Sequence, residues 1–268
     1  LAAGQAALQE ATRHESRALA AVLAAVTSME SNPEAFNAGV GGALTNDGKV
    51  ELDACVMVSN ASPGHHAGAV AGVSNTANPV LLADSVRRTT PHVLLIGAGA
   101  EQLVSSPADP ASLITDRSRA ALERWKARNA GAVDGSNTVG AVALDDDGNL
   151  AAATSTGGVT GQWSGRVGDA PLPGLGTYAD GTVAVSCTGK GEAYIEAAAA
   201  SRLKFLLEAA TRATLDSVRS HDGVGGLIAV TAAGQLVVGF NSEHIAWGVA
   251  RDGELSSGVA EGGFIRVE

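Results

Sequence analysis

The stretch TVGAVALDDDGNLAAATSTGG, residues 138–158, decides the fold because it carries the clearest strand pattern in the chain. Its two runs rich in Ala and Val flank the dipeptide Asp147-Gly148, and an Asp-Gly pair between apolar runs is a strong hairpin signal. Two further stretches repeat the order of apolar run, glycine-containing turn and apolar run: GGALTNDGKVELDACVMV at 41–58 and GGLIAVTAAGQLVVGF at 225–240. Antiparallel strands are therefore predicted in both halves of the chain.

Helices are predicted on three segments in which apolar residues recur at helical spacing, namely 5–29, 78–88 and 192–220. Because these segments group around antiparallel hairpins, they predict an α+β fold rather than a βαβ series. The strands are rich in Ala and Val on both faces, which is typical of sheets that are covered on each side. Two stacked sheets between helical layers satisfy this pattern.

Residues 105–137 lack strand periodicity and contain Pro, Ser, Asp and Gly in the runs SSPADPASLITD and RNAGAVDGSN. Between these runs, residues 117–128 have the composition of a charged helix. The stretch is therefore predicted to be a mobile linker that lies directly before the strand opening at Thr138.

Composition restricts the classes of partner. The 268-residue chain is 45% apolar, which is enough for a sizeable core, and its formal net charge is −10. An acidic surface argues against nucleic acid and against an anionic membrane as partner, while a local site can still oppose the global sign. No run approaches the roughly 18 apolar residues of a membrane span.

The two cysteines, Cys55 and Cys187, lie in the apolar runs ELDACVMV and VAVSCTG. Free cysteines in such runs are usually buried, which favours free thiols in a reducing compartment and so a cytoplasmic protein. A disulfide and a catalytic thiol are the alternatives.

No metal site is predicted. The segment 145–148, DDDG, hints at calcium, but the liganding glutamate downstream is missing and a hairpin turn explains it better. His65 and His66 lie in the loop-like run SPGHHAG without a third ligand at suitable spacing, which favours solvated histidines over zinc.

The chain resembles the plant-type asparaginase and isoaspartyl peptidase family of threonine N-terminal-nucleophile hydrolases. The resemblance rests on the order and spacing of seven motifs and covers nearly the whole chain except the linker. These motifs are FNAGVGGALTNDGKVELDACVM (36–57), AGAVAGV (67–73), NPVLLADSV (78–86), PHVLLIGAGAE (91–101), the stretch 138–158, GRVGD (165–169) and SCTGKGEAYI (186–195). It implies one domain over 1–268 with a four-layer αββα sandwich.

The resemblance implies that Thr138 is the nucleophile and that the chain cuts itself between Asn137 and Thr138. A threonine hydroxyl is a weak nucleophile and needs a base beside it. Cleavage frees the α-amine of Thr138, and a group with a pKa of about 8 can accept the hydroxyl proton at neutral pH. The products of processing are an α subunit, 1–137, and a β subunit, 138–268.

Further residues receive roles from the same resemblance. Thr156 matches the threonine that bonds the nucleophile, and Thr188 with Gly189 matches the oxyanion-hole pair. A hydroxyl and a backbone N–H that converge on one developing oxyanion supply a large catalytic contribution. The substrate-binding residues implied are Asn37, Arg166, Asp169, Gly189 and Gly191. Arg166 and Asp169 match the pair that grips the α-carboxylate and α-ammonium of the substrate, where arginine can give a bidentate contact.

The substrates implied are small molecules, namely asparagine and β-aspartyl dipeptides. No catalytic cofactor or metal is implied, whereas a structural sodium ion held by backbone carbonyls before FNAG and a dimer of processed αβ units are.

Three departures from the family pattern matter. Asn137 stands where the family usually has Gly, although Asn tolerates left-handed backbone better than most residues. The loop MESNPEAFNAG, 29–39, is one residue longer than the family pattern. The family's opening strand with its HGGAG segment has no counterpart, so a less stable or more slowly processed chain is expected. Two alternatives to the main interpretation stay open: a glycosylasparaginase-like amidase, and a catalytically silent homologue or fragment that lacks the opening strand.

Overall fold

The computed structural model describes residues 16–61, 64–128, 138–204, 207–261 and 263–267. Within these ranges the chain forms helices, two five-stranded sheets and a separate two-stranded sheet. The α+β class predicted from the hairpin pattern is confirmed.

The first sheet has the strand order β3-β2-β1-β5-β4. Its strands are β1 (Leu52–Val58), β2 (Ala67–Val73), β3 (Leu94–Ile96), β4 (Val139–Leu144) and β5 (Leu150–Thr156). All neighbours are antiparallel except β2 and β3. The segments before and after the linker therefore share one sheet, with β1 paired to β5.

The second sheet is antiparallel and has the order β12-β9-β8-β7-β6. Its first four strands are β6 (Thr177–Ala179), β7 (Val183–Gly189), β8 (Gly225–Thr231) and β9 (Leu236–Phe240). The separate hairpin of β10 (His244–Arg251) and β11 (Glu254–Glu261) comes next, and β12 (Phe264–Val267) returns to β9. Strands β4 and β5 of the first sheet contact β7 of the second.

The helices divide between the two sheets. They are α1 (Arg17–Glu30), α2 (Pro79–Thr89), α3 (Gly97–Glu101), α4 (Asp116–Ala127), α5 (Gly191–Glu196), α6 (Ala199–Arg202) and α7 (Leu207–Ser220), with a short 3-10 helix at Pro110–Leu113. Helices α1 and α2 pack on strands of the first sheet, and α5, α6 and α7 contact strands of the second. In the described part of the chain, no helix is both long and apolar enough to cross a membrane.

Strand alternation explains how both faces of the first sheet become apolar, because successive side chains point to opposite faces. Val56 and Ala153 face the core that includes Leu19 of α1, whereas Met57 and Ala152 belong to a core shared with the second sheet. Each fully buried aliphatic side chain contributes about 1.5–3 kcal/mol. Burial of both faces therefore stabilises the first sheet in its position between the helices and the second sheet.

Helix α1 confirms the described part of the first predicted helix. The side chain of Ser16 accepts a hydrogen bond from the backbone N–H of Leu19, which caps the helix at its beginning. The remainder of the predicted segment, up to residue 15, lies outside the described residues. Helix α2 begins at Pro79, where proline suits the first turn, and ends one residue beyond the predicted boundary.

The predicted helix over 192–220 is wrong as a continuous element, since the structure divides it into α5, α6 and α7. Ala198, between α5 and α6, adopts a left-handed conformation with φ 48°, which interrupts the helix. Directly afterwards the backbone N–H groups of Ala200 and Ser201 donate to the carbonyls of Leu175 and Gly174. Bonds to a neighbouring loop thus replace the bonds of a continuous helix.

The description of 105–137 as a linker is also too broad. The predicted charged helix is present as α4, and Thr115 and Ser118 form a capping box at its start. Leu113 and Leu122 are buried in the main core, so this part packs on the body of the protein. Residues 129–137 lie outside the described residues.

Two of the three predicted hairpins are confirmed, as β4–β5 and β8–β9. The segment 41–58 differs, because only Leu44 and Val50 form a bridge across the turn. Strand β1 then pairs with β2 and β5 instead, so the turn joins a loop to a strand.

Candidate active site

Thr138 lies at the start of β4, directly opposite the end of β5. Val139 is the partner of Ser155 in the sheet, so Thr138 extends the register to Thr156. The Oγ1 atoms of Thr138 and Thr156 are 3.1 Å apart, within hydrogen-bond distance. The backbone N–H of Gly158 also donates to Thr156 Oγ1, at 3.0 Å. Thr156 is buried and Thr138 is partly exposed, so a substrate can reach Thr138.

A buried group of hydroxyls, here called the hydroxyl layer and made of Thr154, Thr177 and Ser186, lies beneath this pair. Thr154 Oγ1 is 2.7 Å from Ser186 Oγ, and Thr177 Oγ1 donates to Thr154 Oγ1 at 2.6 Å. Gly140 lies against Ser186 so closely that a Cβ atom there would overlap Ser186 Oγ. Glycine at position 140 therefore lets the two sheets approach each other.

The predicted oxyanion-hole residues end strand β7. Thr188 and Gly189 lie opposite Gly226 and Gly225 of β8, and both are partly exposed. Thr188 is two residues beyond Ser186, as Thr156 is two residues beyond Thr154. Because side chains two apart in a strand share a face, Thr188 points into the same space between the sheets as Thr156. That space is about 7 Å further along the strands than the hydroxyl layer.

The loop 165–169 holds the predicted substrate-binding pair. Arg166 Nε donates to Glu192 Oε1 at 3.0 Å, so the direct ionic partner of this arginine is Glu192 on helix α5. Gly191 lies between both members of the pair, because a Cβ atom there would be 2.8 Å from Arg166 Nη2 and 3.0 Å from Asp169 Oδ1. Arg166, Asp169 and Gly191, the three residues that the resemblance assigned to substrate binding, thus lie together.

Asp169 is a buried carboxyl group. Its Oδ2 atom has no hydrogen-bond partner in the described part of the chain, which leaves an acceptor for a ligand donor. Burial raises the pKa of Asp169 to about 7, although the nearby Arg166 guanidinium opposes the rise. An ammonium group at Oδ2 would compensate for this desolvation.

A cavity of about 450 Å³ opens beside Arg166 and Glu192. Gln162 and Trp163 also line it, and the Trp163 side chain is 80% exposed. Its size suits a small molecule rather than a polymer.

Asn37 is placed in the loop that supports Thr156. Its Nδ2 donates to the carbonyl of Gly158 at 2.7 Å, and its Oδ1 accepts from the backbone N–H of Ala43 at 2.6 Å. The backbone N–H of Gly157 donates to the carbonyl of Asn37. In this conformation the carboxamide holds the backbone that follows the predicted catalytic threonine.

Comparison with known proteins gives the family of the chain. The sequence model of a protein family described as asparaginase matches residues 1–259. The chain belongs to the asparaginase family.

Several relatives of this asparaginase family member carry more specific names. The chain is 44% identical to an isoaspartyl peptidase of Salmonella typhimurium over 262 residues, which cover 88% of this chain and 82% of the relative. It is 44% identical to an isoaspartyl peptidase of Escherichia coli, with 88% and 80% covered. It is 39% identical to the isoaspartyl peptidase/L-asparaginase of Homo sapiens, with 92% and 84% covered.

The metal-site and thiol alternatives concern the acidic residues, histidines and cysteines of the chain. Within the described ranges, no group of three or more His, Cys, Asp or Glu side chains could hold a metal ion. The guanidinium of Arg117 donates to the carbonyls of Phe36 and Gly41, so a cation lies directly after the loop segment expected to hold sodium. Cys55 and Cys187 are free and buried, and burial raises the pKa of Cys55 to about 12. Such a thiol is no nucleophile at neutral pH.

Two residues near the site were missed by sequence reasoning, Glu192 and Asp53. Glu192 follows Gly191 directly in the motif CTGKGE, but the motif alone gave no sign that it bonds Arg166. Asp53 is a buried carboxyl group inside β1. Its signal in the sequence was a single acidic residue within the apolar run ELDACVMV.

Proposed function

We propose that this chain is a self-cleaving amidohydrolase that uses Thr138 to hydrolyse β-aspartyl dipeptides and L-asparagine. The observation that carries the proposal is the 3.1 Å contact between the hydroxyls of Thr138 and Thr156 at the open end of the first sheet. Membership of the asparaginase family and the names of the relatives support the choice of reaction.

Self-cleavage comes first. The hydroxyl of Thr138 attacks the carbonyl carbon of Asn137, and the C–N bond to Thr138 breaks as its nitrogen becomes an amine. The resulting ester is hydrolysed by water, which leaves chains 1–137 and 138–268. Asn137 lies outside the described residues, so this step rests on Thr138 and on the family resemblance.

Substrate hydrolysis then follows the same chemistry. Thr138 Oγ1 attacks the side-chain amide carbonyl of the aspartyl unit while the Thr138 α-amine accepts the hydroxyl proton. The hydroxyl of Thr188 and the backbone N–H of Gly189 stabilise the oxyanion. The C–N bond breaks, the α-ammonium returns the proton to the leaving amine, and water releases aspartate from the ester.

Recognition of the aspartyl unit rests on Arg166 and Asp169. The guanidinium of Arg166 keeps its terminal nitrogens near Gly168 and Gly191 while its Nε is bonded to Glu192. Those nitrogens suit the α-carboxylate, and Asp169 Oδ2 suits the α-ammonium. The pocket thus requires a free amino-acid end on the substrate.

Four assignments accompany the proposal. Contacts of the two sheets with each other and with separate groups of helices support the four-layer αββα sandwich of N-terminal-nucleophile hydrolases as one domain. The two buried free thiols support a reducing, cytoplasmic location. Family resemblance alone supports a dimer of processed αβ units. Family resemblance alone supports a structural sodium ion held by backbone carbonyls before Phe36.

The decisive experiment is an intact mass spectrum of purified protein, combined with assays on asparagine and β-aspartyl-leucine. The wild type should separate into 1–137 and 138–268, and the second chain should begin Thr-Val-Gly-Ala-Val. Thr138→Ala should stay intact and inactive, whereas Thr138→Ser should retain some cleavage because its hydroxyl remains. Thr89→Ala changes an exposed threonine on α2 and serves as the matched control.

The substrate test uses N-acetylasparagine, which lacks the α-ammonium. It should react far more slowly than asparagine, and equal rates would contradict the role of Asp169. Full activity in Thr138→Ala, or turnover by a chain that never cleaves, would contradict the nucleophile. An intact and inactive wild type would favour the catalytically silent homologue.

A further inference from the structure

Tyr194 is a fully buried aromatic residue that the proposed mechanism does not use. It lies on helix α5, which begins at Gly191, two residues after the proposed oxyanion donor Gly189. Its side chain belongs to the core cluster that also contains Cys187 of β7 and Leu227 of β8. A buried tyrosine hydroxyl usually has a hydrogen-bond partner, and the identity of that partner shows what the ring is fixed against.

The hydroxyl of Tyr194 donates to the backbone carbonyl of Gly226, at 3.2 Å. Gly226 on β8 is the sheet partner of Thr188, the residue proposed to give the oxyanion hole its hydroxyl. The phenol therefore reaches from α5 to the strand that pairs with the oxyanion hole. Because the ring is attached to the helix at one end and its oxygen is bonded at the other, its position is fixed.

The edge of the same ring lies against Gly189. A Cβ atom built on Gly189 would be 2.8 Å from Tyr194 Cε2, 2.3 Å from the carbonyl oxygen of Val224 and 2.7 Å from the Cα of Gly225. Gly189 is therefore packed closely against the ring and against the start of β8. Its φ of 146° is also one that residues with a side chain rarely adopt, so glycine is required at this position.

Backbone bonds on both strands hold the surroundings of Gly189. The next residue, Lys190, donates its N–H to the carbonyl of Val224 at 2.9 Å. Gly225, the sheet partner of Gly189, donates to Asn241 Oδ1 at 2.8 Å and accepts from the N–H of Asn241 at 2.9 Å. The start of β8 is thus a fixed surface, and the Tyr194 ring adds a side-chain contact to Gly189 itself.

We infer that Tyr194 is a positioning residue that keeps the backbone N–H of Gly189 directed at the oxyanion. The inference rests on the proposed function, because Gly189 serves as an oxyanion donor only in that reaction. Tyr194 acts through Gly189 and Gly226 and does not touch the reacting atoms.

The physical reason is that an oxyanion donor stabilises the transition state most when its direction is fixed before the reaction. Glycine has more conformational freedom than other residues, so a glycine N–H at the end of a strand depends on neighbours that restrict it. Binding of the aspartyl unit rests instead on Arg166 and Asp169. Loss of the Tyr194 contacts should therefore slow the chemical step and leave substrate binding unchanged.

The test compares Tyr194→Phe and Tyr194→Leu with the wild type in steady-state kinetics on asparagine. Tyr194→Phe keeps the ring but frees it from Gly226, so kcat should fall about three- to tenfold, as for the loss of one hydrogen bond. Tyr194→Leu also removes the ring contact with Gly189, and kcat should fall about 10- to 100-fold. Rates are expressed per processed molecule, which is counted on a denaturing gel.

A second readout separates positioning of the donor from general damage to the pocket. KM for asparagine and the inhibition constant of L-aspartate, the reaction product, should stay within about twofold of the wild type in both variants. Tyr178→Phe is the matched control, because Tyr178 is the other tyrosine of the chain and its hydroxyl bonds Asp180 Oδ2 at 2.9 Å on β6. It should leave both kcat and KM unchanged.

A wild-type kcat in Tyr194→Phe would overturn the inference and leave the proposed function standing, because the bond that fixes the ring would then have no effect on the donor. KM and the aspartate inhibition constant that rise as kcat falls would overturn it too, since the effect would lie in the substrate pocket. Wild-type protein without turnover would overturn the proposed function and the inference with it. If Tyr194→Leu fails to fold or to process, Tyr194→Phe alone decides, since it keeps the shape of the side chain.

Discussion

Replacement of Thr156 by valine tests the contact on which the proposed mechanism depends. Valine has nearly the shape of threonine, so the change removes the hydroxyl without opening a cavity. The Oγ1 atom bonds Thr138 Oγ1 at 3.1 Å and accepts from Gly158 N at 3.0 Å. Loss of one hydrogen bond to the nucleophile costs about 1–3 kcal/mol, which corresponds to a roughly 5- to 150-fold loss in the rates of self-cleavage and turnover. The unpaired N–H of Gly158 should lower the free energy of unfolding by about 1–3 kcal/mol.

Thr154→Val is the matched control for this experiment. It removes another buried hydroxyl from the same face of β5, one that bonds Ser186 and Thr177. The loss of stability should be similar, whereas the rates should stay within about threefold because this hydroxyl bonds other side chains. Self-cleavage is followed by denaturing gel over time, turnover by ammonia release from asparagine, and stability by thermal unfolding. The reasoning is refuted if Thr156→Val cleaves and turns over like the wild type, or if Thr154→Val loses as much activity.

Three further perturbations follow from the structure. Gly140→Ala places a Cβ against Ser186 and should lower the free energy of unfolding by about 1–3 kcal/mol. Gly181→Ala is its control, because nothing lies within 4 Å of the new Cβ, and thermal unfolding should show no change in its stability. Burial raises the pKa of Glu30 from 4.5 to about 8, so the folded state holds more protons than the unfolded state between these values and stability should fall as pH rises through that window. Glu30→Gln should flatten this decline in denaturant titrations at pH 5 and pH 8, and an unchanged slope would contradict the assignment. Trp163→Ala should raise KM for β-aspartyl-leucine by about three- to tenfold, because one aromatic contact of roughly 1 kcal/mol with the leaving group is lost. KM for asparagine, whose leaving group is ammonia, should stay nearly unchanged. Equal effects on both substrates would exclude a contact between Trp163 and the leaving group.

The sheets could be predicted from the sequence because their signals are local. The Asp147-Gly148 turn between two Val- and Ala-rich runs predicted the β4–β5 hairpin, and β8–β9 followed the same pattern. The segment around Asp47-Gly48 carries an equally strong turn signal, yet β1 pairs with distant strands. A turn signal predicts where the chain reverses direction. Which strand then pairs with which depends on contacts between residues that are far apart in sequence.

The helical region after β7 was predicted less well than the sheets. Apolar periodicity over 192–220 gave no indication of the break at Ala198, because alanine favours helix. The break is stabilised by backbone bonds to Gly174 and Leu175, which belong to a different part of the chain. Local propensity cannot contain that information.

The candidate site divides in a similar way. Motif resemblance predicted the threonines and the Arg166–Asp169 pair, and the structure brings Thr138 to Thr156 and Arg166 to Gly191. The ionic partner of Arg166 could not be predicted, because Glu192 and Arg166 are 26 positions apart and meet only through the packing of α5. Asn37 was predicted at the site, while its bonds to Ala43 and Gly158 depend on a loop geometry that no motif describes.

The space between the two sheets changes in character along the strands, and this gradient explains why the proposed chemistry is confined to one end. Side chains at the far end are apolar, in the middle they form the hydroxyl layer, and at the open end they are Asp53, Thr138 and Thr156. A buried hydroxyl must find a partner, and the middle layer satisfies its members with one another. Two residues further on, the same strands present polar groups whose partners include one another and, by the proposed function, the substrate. The apolar and hydroxyl layers thus fix the strands that carry these groups, and positions held by rigid strands are the ones that can keep a nucleophile in place.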